Sequence, residues 1–316
     1  MSELLASTPL VSPAPSPRWR RLVRGFLHTP SVVLASFICT GFVLAALFAP
    51  YLAAQNPYDP ASYDLLASEL PPAWMAGGDA TYLLGTDDQG RSISALMLYG
   101  LRISMMVGVL SILIAAVIGI LLGLISGYSG GVIDMIIMRI ADVQMSFPPL
   151  LVALLIDGLA RVILPVSMRE QSAVWVLIFA IAISKWVLFA RTVRATVMVE
   201  RRKEYVQAAY LLFRHPFQIM IQHVLPNVIG PVLVIATINF AMAILTEATL
   251  SFLGVGVPPT QPSLGTLIKI GNEYLFSGRW WITVFPGLAL IVLVLAFNVL
   301  GDWLRDVLNP RLRTGR

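Results

Sequence analysis

Apolar residues in this chain run in long blocks instead of alternating with polar ones or returning every three to four positions. A block of about 20 mostly apolar residues is what an α-helix needs to cross a bilayer. Six blocks meet that measure: 31–52, 103–127, a third that ends near 156, 173–190, 228–250 and 280–300. Between the second and third, the run Gly127-Tyr-Ser-Gly-Gly131 predicts a tight turn. Two polar segments interrupt the pattern. Residues 53–101 are rich in Pro, Asp, Tyr and Gly and predict a small folded cap or loop. Residues 191–227 are amphipathic, as in helices that lie on a surface. The fold class that follows is all-α: a polytopic membrane protein with about six transmembrane helices.

Composition agrees with this layout. Of the 316 residues 57% are hydrophobic and 12% charged, whereas a soluble domain carries about a quarter charged residues. That is too little charge to cover a water-facing surface, so much of the exterior faces lipid. The formal net charge of +5 does not indicate nucleic acid. The basic residues flank apolar blocks and form no continuous patch with interleaved aromatics, so they read as charge that sets topology.

One set of ends carries Arg18, Arg20, Arg21, Arg24, Arg191, Arg194, Arg201, Arg202, Lys203, Arg214, Arg305, Arg311, Arg313 and Arg316. The other is richer in acid, with Asp59, Asp64, Glu69, Asp79, Asp87, Asp88, Asp157, Glu170 and Glu273. The positive-inside rule therefore predicts both termini in the cytoplasm and the cap outside. The first block is long enough to span and reads as a retained helix, not a cleaved signal peptide. Cys39 is the only cysteine, which excludes an internal disulfide or thiolate metal site.

The amphipathic segment holds the most informative residues. Glu204 to Phe213 has good helix formers with an acid in the first turn, which suits the helix dipole. Pro216 predicts a break at His215 and the start of a second short helix, which Pro226 would end at the membrane. Ala208 and Ala209 are small enough to let another surface approach closely. On these residues alone, that surface is either lipid headgroups or a protein.

The combination Glu204-x-x-x-Ala208-Ala209, then His223-x-Leu225-Pro226-Asn227, resembles the EAA loop of ABC importer permeases. Further stretches resemble the dipeptide/oligopeptide/nickel-type permeases, and best the C-type permease of the pair. They are Leu84-Gly-Thr-Asp-Asp-Gln-Gly-Arg91 with Tyr99-Gly-Leu-Arg-Ile-Ser104, and Met138-Arg-Ile-Ala-Asp142 with Phe147-Pro148. Glu247-Ala-Thr-Leu-Ser-Phe-Leu-Gly-Val-Gly256 and Phe297-Asn-Val-Leu-Gly-Asp302 complete them.

The resemblance implies a type I importer architecture, a sister permease, one or two ATPase subunits and a solute-binding protein, in the bacterial inner membrane. It implies that Glu204, Tyr205, Ala208, Ala209, Leu212, Phe213, His223, Pro226 and Asn227 couple the spans to an ATPase. Solute would be delivered near 53–101 and 251–278. The implied cargo is di- or oligopeptide; the alternatives are a nickel chelate, glutathione, an opine or a sugar.

Three positions depart from the family pattern. Phe213 replaces a glycine, so the bend is expected to move to Pro216; Ser92 replaces an aspartate, and Leu264 a tryptophan. The segments expected are a tail (1–30), a first span (31–52), the external cap (53–101), a permease core (102–303) with its coupling loop (200–227), and a second tail (304–316).

Other chemistry is thin. No Gly-Lys-Ser/Thr phosphate loop is present, so ATP would be hydrolysed by other subunits. His28, His215 and His223 form no metal-ligand spacing, and no cofactor is expected. A stand-alone secondary transporter would call for an internal repeat, which is not evident. An intramembrane zinc enzyme would need a His-Glu-x-x-His motif, which is absent.

Within the blocks, Arg139 and Asp142 sit three apart and are expected to satisfy each other, with a solute path as the alternative. Glu247 is open between the same two readings. Lys185 is expected to snorkel at the cytoplasmic end of its span. Gly108, Gly119, Gly123 and Gly127 are expected to permit close helix contact.

Overall fold

The computed structural model describes residues 26–62 and 64–308. The basic clusters Arg18, Arg20, Arg21, Arg24 and Arg311, Arg313, Arg316 lie outside the described residues, as does most of the two expected tails.

Helices α1 (Pro30–Leu47) and α2 (Ala49–Leu52) come first, and Pro30 sits at the start of α1, where its missing N–H costs nothing. A loop with two short 3₁₀ turns, Pro60–Ser62 and Leu65–Ala67, then leads into the long α3 (Ile93–Ser129). Next come α4 (Gly131–Met145), α5 (Pro149–Ile163) and α6 (Val166–Glu200). The amphipathic segment forms α7 (Glu204–Leu211) and α8 (Pro216–Ile219), joined by the π-helical turn Met220–Val224 to α9 (Leu225–Phe252). The chain closes with α10 (Leu264–Tyr274), a 3₁₀ turn and α11 (Trp281–Leu308). Apart from one isolated bridge, Thr86 with Ser92, no strand pairing occurs among the described residues.

Five helical stretches are long and apolar enough to cross a membrane, and α4 with α5 makes a sixth, bent by 92° at its break. The six expected blocks are thus recovered, with corrected ends. Helix α3 starts at Ile93, ten residues before the block, because Ile93 and Leu96 pack against Leu267, Trp281 and Ile282. The cap therefore ends at Ser92 and not at Leu101. The third block is broken where Phe147 is followed by Pro148 and Pro149, since a residue before proline is disfavoured in the α region. Pro226 does not end a helix: it lies in the first turn of α9, and 216–252 runs on as one helical stretch.

Helices α3 and α6 lie side by side and form the spine of the bundle. At Gly119, Gly123 and Gly127 the facing residues are Phe189, Ala190 with Val193, and Val197, so contacts advance together and the helices are parallel. A Cβ added at Gly123 would fall 2.6 Å from Ala190 O and 2.7 Å from Val193 Cβ. Only glycine lets the backbones come this close. Helix α9 packs on both α3 and α6, and α11 joins α9, α10 and α1. The cap lies at one end of this bundle and α7 at the other.

Candidate functional site

At the α7 end, the helix has two faces with different fates. Val206 and Ala209 point inward and join Ile219, Val224 and Val228 in the main apolar core. Glu204, Ala208, Leu211, Leu212 and Phe213 face out, with Phe213 97% exposed. Ala208 and Ala209, expected to act together at a docking surface, are therefore separated. On a helix, successive residues lie about 100° apart, so only Ala208 is on the open side.

The bend after α7 stays at Phe213, which corrects the expected shift to Pro216. Phe213 has φ +53°, a left-handed conformation. Phe213 N–H donates to Tyr210 O at 3.0 Å and Arg214 N–H to Ala209 O at 3.3 Å. These are the paired bonds of a Schellman cap, which normally places glycine at this position. Phenylalanine keeps the geometry at a steric cost of about 1–2 kcal/mol. His215 then caps α8, its Nδ1 accepting from Phe217 N–H at 3.3 Å.

Hydrogen bonds tie α7 to three spans. Tyr205 Oη donates to Glu200 at the end of α6 (2.5 Å), and Asn227 Nδ2 in α9 donates to Tyr205 Oη (3.1 Å). His223 stacks on the Tyr205 ring, 6.3 Å between centroids, and its carbonyl accepts from Asn227 at 2.8 Å. Tyr210 and Tyr128 share a hydroxyl–hydroxyl bond of 2.5 Å, which reaches the end of α3. Burial, then the bond to Glu200, pushes the Tyr205 phenol up to about 12, so it remains a donor at physiological pH. A push on the outer face of α7 thus reaches α3, α6 and α9 together.

Basic residues near this end do more than set topology. Arg194 bonds both carboxylate oxygens of Asp134, which also accepts from Ser126 Oγ. Arg201 Nη1 donates to the carbonyls of Gly127 and Tyr128 at 3.2 and 3.0 Å, capping the negative end of α3. The expected Arg139–Asp142 pair does not form. Asp142 instead meets Arg191 of α6 at 2.5 Å, while Arg139 is exposed with no ion pair among the described residues. Helix α6 lies alongside α4, and a cation presented from there outcompetes one on the same helix.

Glu247 belongs to neither expected class. It is fully enclosed and accepts from Ser104 Oγ (2.7 Å) and Ser251 Oγ (2.8 Å), with no cation bonded to it among the described residues. It joins α3 to α9, and Ser104 extends the link to α10 through Leu264 N–H at 3.3 Å.

At the opposite end lies a cavity of about 500 Å³ bounded by Asp88, Asp157, Arg161, Arg169, Glu170, Lys269 and Glu273. Its wall draws on the cap, α5, α6 and the segment from Ser251 to Tyr274. Both signs of charge face it. Arg161 pairs with Asp157 at 2.5 Å, and Glu170 accepts from Thr260 Oγ1 at 2.5 Å. The cap beside it holds a buried ion pair: Asp87 and Arg91 lie together, with Nε to Oδ2 at 2.7 Å and Nη2 equally close but off the hydrogen-bonding direction. Trp281 Nε1 donates to Thr86 O at 3.2 Å, and Tyr274 Oη to Asp88 at 3.4 Å. The Asp88 charge raises the Tyr274 phenol above its usual range.

Lys185 does not snorkel. It is 8% exposed and lies fifteen residues before the end of α6 at Glu200, about 22 Å along the axis at 1.5 Å per residue. The apolar block ended too early to reveal this, because α6 continues well past the hydrocarbon-like stretch.

Residues 119–314 match the family described as binding-protein-dependent transport system inner membrane component. Residues 17–72 match the N-terminal TM domain of oligopeptide transport permease C. The chain is 40% identical over 270 residues to a dipeptide transport system permease protein of Haemophilus influenzae, covering 85% of this chain and 87% of that one. It is 37% identical over 311 residues to a di/tripeptide transport system permease protein of Pseudomonas aeruginosa, covering 98% and 96%. A dipeptide transport system permease protein of Escherichia coli is 36% identical over 313 residues, covering 99% and 100%.

Proposed function

Because the chain belongs to the binding-protein-dependent transport system inner membrane components, the multi-pass and non-catalytic permeases of ABC importers, we propose that it translocates di- or oligopeptides. In this reading it pairs with a sister permease, two ATPase sites supply the energy, and a solute-binding protein presents cargo. Peptides are the cargo because the relatives above carry di- and tripeptide transport in their names. The cap and the mixed-charge cavity face outside, where a zwitterion finds partners of both signs. Helix α7 faces the cytoplasm.

The observation that carries the reading is the two-faced α7. Leu211, Leu212 and Phe213 are 80%, 72% and 97% exposed, while the inner face is bonded to the ends of α3, α6 and α9. Covering such a side chain contributes about 1.5–3 kcal/mol, so this face is a docking surface for an ATPase groove. Closure of the ATPase dimer then moves three spans as one, and access alternates between the two sides.

The test is reconstitution with the sister permease, ATPases and binding protein in proteoliposomes, followed by uptake of labelled di- and tripeptides. Glu204→Lys and Ala208→Glu are expected to insert normally, lose ATPase co-purification and cut ATP-driven uptake at least tenfold. Ala209→Glu is unsuitable because it would bury an unpaired charge in the core. Wild-type uptake with full ATPase binding in both variants would overturn the coupling assignment. Uptake of a nickel chelate or sugar, with none of peptide, would overturn the cargo.

A further inference from the structure

The break between α4 and α5 creates a feature that coupling does not use. Because the pair is bent by 92° around 146–148, the chain turns inside a span, and a cavity of about 170 Å³ opens beside α6. Phe147, Val152, Val187 and Leu188 give it an apolar wall. Its polar groups are largely committed. Gln144 donates to Ile183 O and accepts from Trp186 Nε1 at 2.6 Å. Ser184 Oγ donates to Ala180 O at 2.8 Å and lies 3.2 Å from Pro149 O.

Lys185 is the exception. Its side chain lines this cavity, the residue is 8% exposed, and it has no hydrogen-bond or ion-pair partner among the described residues. Pro149, on the same wall, begins the fifteen-residue α5, whose N-terminus has no side-chain cap. Pro148 and Pro149 carry no N–H, and the Leu151 and Val152 N–H groups already bond Pro148 O at 2.9 and 3.2 Å, so the ammonium group is the one strong donor in this space. A cation at membrane depth is costly unless something answers it, and an unpaired ammonium group in a largely apolar pocket calls for an anion.

We infer that Lys185, in the cavity opened by the broken span, forms a transient binding site for the carboxylate of a transported solute. This rests on the proposed import of peptides, each of which carries a free C-terminal carboxylate. Entry from the outer cavity would bring that carboxylate to a pocket that holds it out of water. The break in the span supplies the room.

The experiment uses the complete importer in proteoliposomes with saturating, peptide-loaded binding protein, so that affinity for the binding protein does not enter. Lys185→Gln is expected to lower maximal uptake of a free-carboxylate dipeptide about tenfold or more, the scale of a lost charge-assisted bond. Lys185→Arg should retain most of the rate. In Lys185→Cys, an aminoethyl thiosulfonate should restore uptake and a neutral propyl reagent of similar length should not. Transported dipeptide should also slow the modification.

Equal rescue by the neutral reagent, or normal uptake in Lys185→Gln, would overturn the site while leaving peptide import standing. Loss of the sister permease from the purified Lys185→Gln complex would also overturn it, because the partner anion would then belong to that subunit. Absence of uptake by the wild-type complex would instead count against the underlying function.

Discussion

At the scale of single residues, Phe213 carries two opposed roles that can be separated. Its left-handed φ of +53° is strained, yet its ring is 97% exposed and contributes nothing to the folded subunit. Phe213→Gly should therefore stabilise the isolated permease by about 1 kcal/mol, by removing that strain. The same change should weaken ATPase binding about tenfold, by deleting an apolar contact. Thermal unfolding in detergent and ATPase titration measure the two effects. Stability that rises with ATPase affinity unchanged would remove Phe213 from the docking face. Tyr205 illustrates the reverse case. Its raised value means that its hydrogen-bonded, neutral form is favoured by folding, a contribution complete below pH 10 and lost as pH rises through about 12. The link from α7 to Glu200 should thus be constant across the physiological range.

Among the elements, the α3–α6 spine is the least tolerant. Gly123→Val would place its Cβ about 2.6 Å from Ala190 O and 2.7 Å from Val193 Cβ, closer than real Cβ atoms pack. Backbone cannot yield there as a flexible side chain can, so the helices must separate. The expected outcome is a subunit that inserts but fails to assemble, read as loss of the monodisperse peak in detergent chromatography. Gly41, with open space around it, is the control, and Gly41→Ala should behave as wild type. If Gly123→Val assembles normally, α3 and α6 do not form the spine.

For the whole molecule, the direction of the chain is the property to test. The cap and α7 lie at opposite ends of α3, so one of each must be on either side of the membrane. Leu66 is 93% exposed on the cap and Leu211 80% exposed on α7, whereas the native Cys39 is buried. In spheroplasts an impermeant maleimide should label Leu66→Cys directly, and Leu211→Cys only after permeabilisation. The opposite pattern would invert the orientation drawn from the arginine asymmetry.

Local sequence determined the class and the outline of this protein. Blocks of apolar residues specify spans because the bilayer leaves the backbone no other partner than itself. The turn expected at Gly127 to Gly131 is made by Gly130 and Gly131 alone, both at positive φ, which glycine adopts without penalty, while α3 runs on to Ser129. The short helix from Glu204 was legible through its helix formers and first-turn acid, and the double proline at 148 and 149 was an available signal of the broken span. Tertiary structure decided the rest. It chose which alanine of Ala208 and Ala209 faces inward, extended α3 and α6 past their apolar blocks, gave Asp142 to Arg191, enclosed Glu247 between serines, and left Lys185 alone in a cavity. In each case the outcome depends on a neighbour distant in sequence. Hydrophobicity is additive along a chain, but an ion pair or a buried charge is settled only by what another helix brings within a few ångströms of it.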